Sequence, residues 1–186
     1  MKNKFKVKEL LLISLPVVAM LIITGFIYWL LIYRKEHQLV GLLLSEIQPI
    51  DVFWCVSAVV CSLGIVFAFL KIFPKQYLHD PNVKIMADSY SLGFFAIYFI
   101  PNAFYEELLF RGTLQPLFGL VPASILFTAI HFSYYKKPLL LVNVFLQGIV
   151  LGLLFHVTNS IWITTLAHTT INFIQMWLIK SGRIKY

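Results

Sequence analysis

Charged residues are scarce in this 186-residue chain: they make up 12% of it, and only eight are acidic. Soluble globular domains carry about a quarter of their residues as charges, so this scarcity excludes an ordinary soluble domain. Hydrophobic residues make up 60% of the chain, and the mean hydropathy is +0.84. The composition predicts an integral membrane protein, and the length favours one domain spanning residues 1–186.

Cysteine is equally scarce, with Cys55 and Cys61 as the only two. They lie six positions apart in one apolar run. A helix rises about 1.5 Å per residue, so their backbones would be too far apart for a disulfide between them. We interpret both as small buried hydrophobic residues, without information about redox compartment.

Long apolar runs dominate the sequence, and a helix needs roughly 20 apolar residues to cross the hydrocarbon of a membrane. We predict an all-α polytopic bundle of about six crossing helices, at residues 10–33, 52–70, 92–111, 121–135, 138–155 and 161–179. The first run lacks the short apolar core and the cleavage site of a signal peptide. The polar segment 71–88 is predicted to be a loop, and a short amphipathic stretch is predicted after residue 111.

The basic residues give an orientation, because cytoplasmic segments of membrane proteins are enriched in Lys and Arg. With the N-terminus inside, three basic residues fall on the outer side: Arg34, Lys35 and Arg111. The other twelve fall on the inner side: Lys2, Lys4, Lys6, Lys8, Lys71, Lys75, Lys84, Lys136, Lys137, Lys180, Arg183 and Lys185. This asymmetry predicts that both termini are cytoplasmic. It also gives the basic pI near 9.4 a simpler cause than nucleic-acid binding.

Polar residues inside the apolar runs are costly and are therefore candidates for function. In "EELLFR", Glu107 and Arg111 are spaced i,i+4, which predicts an ion pair on one helix face. Glu106 points about 100° away around the helix, so we expect it to face a different neighbour and to be the available carboxylate. Taken alone, this cluster fits mutual neutralisation between helices about as well as function.

Two further segments carry polar residues at the same spacing. Phe127 and His131 share a face in "FTAIH", and His168 and Asn172 share one in "HTTIN". Each alone is more typical of a hydrogen-bonded core residue or of contact between helices. Together, one carboxylate, two histidines and a carboxamide could activate water and bind an oxyanion. No serine or cysteine nucleophile accompanies them, so direct attack of water on a carbonyl is the chemistry they favour.

The predicted fifth span carries a further pattern. Asn143 and Gln147 are interpreted as polar contacts between helices, and Gly148 and Gly152 as a pair that permits close helix packing.

The three motifs resemble the CPBP family, which comprises CAAX prenyl proteases and bacteriocin-processing enzymes and is also called the Abi family. Its signature is E-E-x-x-x-R, then F-x-x-x-H, then H-x-x-x-N or H-x-x-x-D. The chain reproduces it in order as "EELLFR" (106–111), "FTAIH" (127–131) and "HTTIN" (168–172). The resemblance places the catalytic core at residues 89–180 and leaves residues 1–88 with two spans and no recognised motif.

The resemblance implies an intramembrane endopeptidase. In such an enzyme, Glu106 acts with His131 to activate water, and His168 and Asn172 hold the oxyanion. Glu107, Arg111 and Phe127 support the site. The family is often labelled metalloprotease, and Glu106, His131 and His168 could hold zinc with an open position for water. We favour a metal-free mechanism, because Asn172 is a poor zinc ligand and Glu107 is committed to Arg111.

Simple counting along the predicted spans places Glu106 toward the outer side and His131 near the inner side. The two can meet only if the stretch after residue 111 re-enters the membrane, or if a broken helix opens a hydrated cavity.

Three functions remain as alternatives. The first is hydrolysis of a membrane-associated peptide or lipidated peptide in a bacterial plasma membrane, in bacteriocin processing or self-immunity. The second is a non-catalytic immunity or sensor-kinase regulatory protein on the same scaffold. The third is a proton-coupled carrier, which the lack of a visible inverted repeat disfavours. The expected partners are membrane lipid and the peptide substrate, without nucleic acid.

Overall fold

The computed structural model describes residues 45–184, together with residues 19, 22–26 and 29. The predicted first span, 10–33, thus lies mostly outside the described residues. Within the described part the chain is helical and contains no strand. The expected all-α class is confirmed.

Residues 45–184 contain seven α-helices, one π-helical turn and two short 3₁₀ turns. In chain order the α-helices and the π turn are α1 (Pro49–Ile72), α2 (Pro81–Ser89), α3 (Leu92–Leu109), the π turn (Phe110–Leu114), α4 (Gln115–Phe118), α5 (Leu120–Ala129), α6 (Pro138–Thr158) and α7 (Ile161–Lys180). Helices α6 and α7 are joined by only two residues, so the predicted hairpin of the last two spans is confirmed.

Local sequence signals set most helix ends. A proline occupies the first position of α1, α2 and α6, where its missing N–H is not needed. Ser91 caps α3 by accepting a hydrogen bond from the Phe94 N–H at 3.1 Å. Asn159 ends α6 in the left-handed conformation, with φ of 47°, and the next helix begins at once.

The prediction of a loop over 71–88 is wrong. Asp80 accepts a hydrogen bond from the Asn82 N–H at 2.9 Å and Pro81 follows it, so α2 begins there despite its polar composition. The far end of α2 is held by Lys180, whose Nζ donates to the carbonyls of Ala87 and Tyr90. This contact ties α2 to the end of α7.

The helix predicted over 121–135 is shorter than expected. Helix α5 ends at Ala129 and a 3₁₀ turn follows at Phe132–Tyr134. Ten residues rise about 15 Å, roughly half of the hydrocarbon thickness, so α5 alone does not cross a membrane. The preceding helical run continues through the π turn to Phe118, and it breaks at Gly119, where φ is 89°. A broken helix, one of the two arrangements by which Glu106 and His131 could meet, is therefore present after residue 111, and the hydrated cavity stays a prediction.

The helices pack into one bundle in which α7 contacts both α1 and α3, and α6 contacts both α1 and α5. The central apolar core joins α1, α6 and α7 and consists of Cys55, Ala58, Leu151, Leu154, Ile163, Ala167 and Ile171. Cys55 is buried as expected, but Cys61 is exposed. Six residues turn the helix by about 240°, so Cys61 points away from α6 and α7.

The surface of the bundle is that of a membrane protein. Helices α1 and α6 are long and apolar enough to cross a membrane. Polar side chains lower the hydropathy of α3 and α7, which do not meet that criterion. Large apolar side chains stand exposed on the outer faces of the helices, among them Phe53, Val60, Ile97, Ile125 and Val142. Exposed apolar side chains in this number suit a lipid environment. The number of crossings and the side of the termini stay predictions.

Candidate active site

The π turn begins three residues after Glu107 and widens the helix at this point. Gly112 lies within it, and a Cβ added there would come within 3.2 Å of Ile161 Cδ1, so the turn packs closely on the start of α7. The Thr113 hydroxyl donates to the Leu108 carbonyl at 3.0 Å, five residues back. Such π turns are frequent at functional sites, and no feature of the sequence predicted this one.

Glu107 is the centre of a fully buried charged network. Its Oε2 accepts from Arg111 Nε at 3.3 Å, so the predicted i,i+4 ion pair is present, and both side chains are 0% exposed. Its Oε1 accepts from His168 Nδ1 at 2.8 Å. This second bond joins α3 to α7 and was not predicted, because residues 61 positions apart in the sequence carry no local signal of contact. Glu107 therefore fixes both the cation and the imidazole.

Glu106 reaches the other side of the same imidazole. Its Oε2 lies 3.8 Å from His168 Nε2, which is an electrostatic contact rather than a hydrogen bond. The expectation that the two adjacent glutamates face different neighbours is therefore wrong, because they meet the two ring nitrogens of one histidine. Glu106 makes no ion pair with Arg111, and its side chain is 17% exposed, so it is the accessible carboxylate of the cluster.

Phe127 connects the two predicted histidines. Its ring packs edge-on against His131 at a centroid distance of 5.0 Å and against His168 at 5.9 Å. The guanidinium carbon of Arg111 lies 5.3 Å from the Phe127 centroid, in a cation–π contact. This residue of α5 thus places both imidazoles and the buried cation around one aromatic ring.

His131 lies just beyond the C-terminus of α5 rather than within a helix, as had been expected. Its Nδ1 is 2.8 Å from the Phe127 carbonyl oxygen. A carbonyl can only accept, so Nδ1 carries the hydrogen and Nε2 of the neutral ring keeps a lone pair. The ring also stacks on Tyr134. The described contacts of His131 do not include Glu106.

Asn172 lies half-buried one helical turn beyond His168 on α7. Its shared face with His168 follows from the i,i+4 spacing. Among the described residues it makes no hydrogen bond, which leaves its carboxamide available. Gln147, by contrast, forms the expected contact between helices, because its Nε2 donates to the Ser62 carbonyl of α1 at 3.2 Å.

The glycine pair of α6, Gly148 and Gly152, packs against residues that support the site. A Cβ on Gly152 would approach Leu120 Cδ1, would lie 2.8 Å from Gln115 Oε1, and would lie 3.3 Å from Arg111 Nη1. Gln115 Nε2 also donates to the Gly152 carbonyl at 2.9 Å. The predicted close packing at these glycines is thus present, and it encloses the guanidinium. Gln115 was missed by the sequence analysis, since no local pattern links it to Arg111.

The site side chains Glu106, His131 and His168 are also the candidate ligands for a metal ion. Within the part of the chain that the structure describes, no three His, Cys, Asp or Glu side chains are placed to hold one. His168 offers Nδ1 to Glu107, and His131 offers Nδ1 to a backbone carbonyl, so in each ring Nε2 is the nitrogen that could bind a metal. The described geometry does not bring Glu106, His131 and His168 together as a set, and zinc binding by them stays a prediction.

Similarity to known proteins covers the region of the site. Residues 88–174, which contain all three motifs, match the sequence model of a family described as type II CAAX prenyl endopeptidase Rce1-like. The chain is also 33% identical over 144 residues to the uncharacterized protein YpbD of Bacillus subtilis (strain 168). That match covers 76% of this chain and 76% of YpbD. No solved structure matches the chain.

Proposed function

The chain belongs to the Rce1-like family of type II CAAX prenyl endopeptidases, and from that premise we propose that it is a multi-pass intramembrane endopeptidase of the bacterial cell membrane. Its substrate is a membrane-associated peptide or lipidated peptide, which fits a role in bacteriocin processing or self-immunity. One observation carries the proposal: an accessible carboxylate, Glu106, lies beside an imidazole that a second, buried carboxylate holds in place. A purely neutralising cluster would not need the accessible member.

The proposed chemistry is attack of water on a peptide carbonyl. Glu106 takes a proton from water as the water oxygen bonds to the carbonyl carbon. The resulting oxyanion accepts hydrogen bonds from His168 and Asn172. The intermediate then collapses, and the proton held by Glu106 passes to the departing amine nitrogen. The reaction as proposed requires no metal.

The bond from His168 to Glu107 constrains the role of that imidazole. Since Nδ1–H donates to Glu107 at 2.8 Å, the ring can offer a hydrogen to an oxyanion only from Nε2. That requires the doubly protonated ring. Two carboxylates and one guanidinium surround it, so an imidazolium makes the cluster electrically neutral. Glu107 and Arg111 thus act as positioning residues.

His131 is proposed to orient the attacking water through Nε2, which keeps its lone pair. Its position against Phe127, which also contacts His168, supports a place at the same site. The described residues give it no direct bond to Glu106. We therefore expect loss of His131 to reduce the rate less than loss of Glu106 does.

The proposal is tested with the full-length chain in lipid vesicles and two quenched fluorescent peptides of one sequence, one with a farnesylated C-terminal cysteine and one without. Glu106→Gln should lower the cleavage rate by about 10²–10⁴-fold, the usual contribution of a general base. The matched control is Glu46→Gln, the same change at an exposed position before α1, and it should cleave like the wild type. A zinc chelator should leave the wild-type rate unchanged.

A wild-type cleavage rate in Glu106→Gln would contradict the assignment of Glu106 as the general base, and no cleavage of either peptide by the wild type would contradict the peptidase assignment. If Glu106→Gln lost cleavage but cells carrying it kept full bacteriocin immunity, the non-catalytic regulatory role would replace the peptidase as the physiological function. Loss of activity on chelation would instead overturn the metal-free mechanism while leaving the peptidase assignment intact.

A further inference from the structure

An open apolar groove runs between α5 and α6, on the outside of the bundle. Its volume is about 350 Å³, and its walls include Thr128, Ala129, Val142 and Phe145, with Tyr135 at one end. Ligand pockets in proteins range over about 300–1,000 Å³. We define this cavity as the α5–α6 groove.

The groove is apolar although two of its residues carry hydroxyl groups. The Thr128 hydroxyl donates to the Ser124 carbonyl at 2.8 Å, and the Tyr135 hydroxyl donates to the Ala129 carbonyl at 2.5 Å. Both hydroxyls are therefore directed to backbone, and the exposed lining is hydrocarbon. A chain of methylene groups fits such a surface, whereas a polar ligand would find no partner in it.

Positive charge lies next to the groove. Lys136 and Lys137 directly follow Tyr135, and the N-terminus of α6, which carries a partial positive charge, begins at Pro138. Lys137 is held in place by donating to the Gln76 carbonyl at 3.0 Å. Lys136 is exposed and makes no ion pair among the described residues.

Neither Lys136 nor Lys137 makes an ion pair with an acidic side chain of the described residues. No Asp or Glu follows Glu107 in the sequence, so all 79 remaining residues carry only positive or neutral side chains. Both lysines are also predicted to lie on the cytoplasmic side, where anionic lipids concentrate. A ligand with an anionic head and a hydrocarbon tail would complement both features at once.

We propose that the α5–α6 groove binds an anionic phospholipid of the membrane, with one acyl chain in the groove and the phosphate at Lys136. This site is separate from the peptidase proposal and does not depend on it. It abuts the turn that carries His131, because Tyr135 bonds to Ala129 and Tyr134 stacks on His131. Bound lipid would therefore stabilise that turn.

The test uses native mass spectrometry of the full-length protein with phosphatidylglycerol and phosphatidylcholine of identical acyl chains. The wild type should retain the anionic lipid about fivefold more than the zwitterionic one, the effect of one lysine near an anionic headgroup. Lys136→Gln should remove this preference. The matched control Lys71→Gln, at another exposed lysine near a helix end, should keep it.

Two variants test the groove itself. Ala129→Trp and Val142→Trp each fill it from an exposed position on opposite walls, so folding should be preserved. Each should lower retention of both lipids about tenfold by removing apolar contact. Leu153→Trp, at an exposed position on α6 outside the groove, should not.

The proposal is overturned if the wild type retains both lipids equally, or if neither tryptophan lowers retention. It is also overturned if a neutral palmitoylated peptide displaces the phospholipid from the wild type as readily as it does from Lys136→Gln. That result would assign the groove to the lipid chain of a substrate instead.

Discussion

Two interfaces of the bundle are stabilised by different kinds of interaction. Where α3 and the π turn meet α7, the contact includes a buried network of charged and ionisable groups, Glu107, Arg111 and His168. It lies beside an apolar cluster that includes Phe95 and Met176. Where α1 meets α6 and α7, the contact is almost wholly apolar, with Gln147 as one polar member. Apolar side chains pack with any apolar neighbour of suitable shape. A buried charge is stable only beside a partner of opposite charge in suitable geometry.

The charged interface leaves buried polar atoms without hydrogen-bond partners in the described part of the chain. Both terminal nitrogens of Arg111 are buried without a hydrogen-bond partner among the described residues, and the Phe127 ring supplies partial compensation. A site selected for stability alone would not bury a guanidinium in this way, since well-packed apolar residues usually serve as well or better. The charged interface is therefore better explained by function than by stability.

The largest expected effect follows from removing one charge of the buried pair. Arg111→Met leaves Glu107 ionised and short of a partner, so the free energy of unfolding should fall by about 3–5 kcal/mol. Unfolding in detergent, followed by circular dichroism, measures it. Adding Glu107→Gln to Arg111→Met should recover at least part of the loss, because no unpaired charge then remains.

Lys84→Met provides the matched control for this comparison. Lys84 and Asp88 form an ion pair at the same i,i+4 spacing, but their side chains are 54% and 69% exposed. Its removal should change the stability by less than about 1 kcal/mol. Equal losses for Arg111→Met and Lys84→Met would contradict the contrast between buried and exposed pairs.

A smaller effect is expected from Gly152, where α6 packs against the buried Arg111. Gly152→Ala places a methyl group against Gln115 and Arg111, so it should destabilise the protein by about 1–3 kcal/mol through overpacking. Gly64→Ala on α1 meets no described atom within 4 Å and should instead stabilise the helix by about 0.5–1 kcal/mol. The same unfolding measurement ranks the two.

A third glycine, Gly148, is expected to have an intermediate effect on stability. Gly148→Ala would meet Phe127 Cδ1 at 3.2 Å and Ser124 Cβ at 3.3 Å, so its effect should fall between those of the other two. If all three substitutions stabilised the protein alike, helix propensity would dominate and the close packing of α6 would be irrelevant to stability.

Sequence reasoning succeeded where the decisive interaction is local. The Glu107–Arg111 pair and the close packing at Gly148 and Gly152 follow from i,i+4 spacing along one helix. The apolar helices α1 and α6 follow from length and composition. Each of these depends on neighbours within a few residues.

Features that depend on tertiary contact were missed or misplaced. The bond between Glu107 and His168 requires α3 and α7 to be adjacent, and no spacing within either helix reveals that. Helix α5 ended early because the chain turns at His131, although its apolar composition continues. Helix α2 was not predicted because its polar composition suggested a loop, although Asp80 provides an N-cap for it.

The smallest expected effect on stability concerns Asn172, whose side chain, like that of Glu106, makes no hydrogen bond among the described residues. Asn172→Ala should leave the free energy of unfolding within about 0.5 kcal/mol of wild type, since it removes no described hydrogen bond. If Asn172 donates to the oxyanion, the cleavage rate at saturating probe peptide should nevertheless fall by about 10²–10³-fold.

Asn143→Ala is the control, because Asn143 is also half-buried, lies on α6 and makes no hydrogen bond within the described part of the chain. It should alter neither stability nor rate. A wild-type rate in Asn172→Ala would remove the carboxamide from the mechanism and leave His168 as the remaining proposed donor. A loss of stability as large as that of Arg111→Met would show instead that Asn172 belongs to the structural network, and that the charged interface extends one turn further along α7.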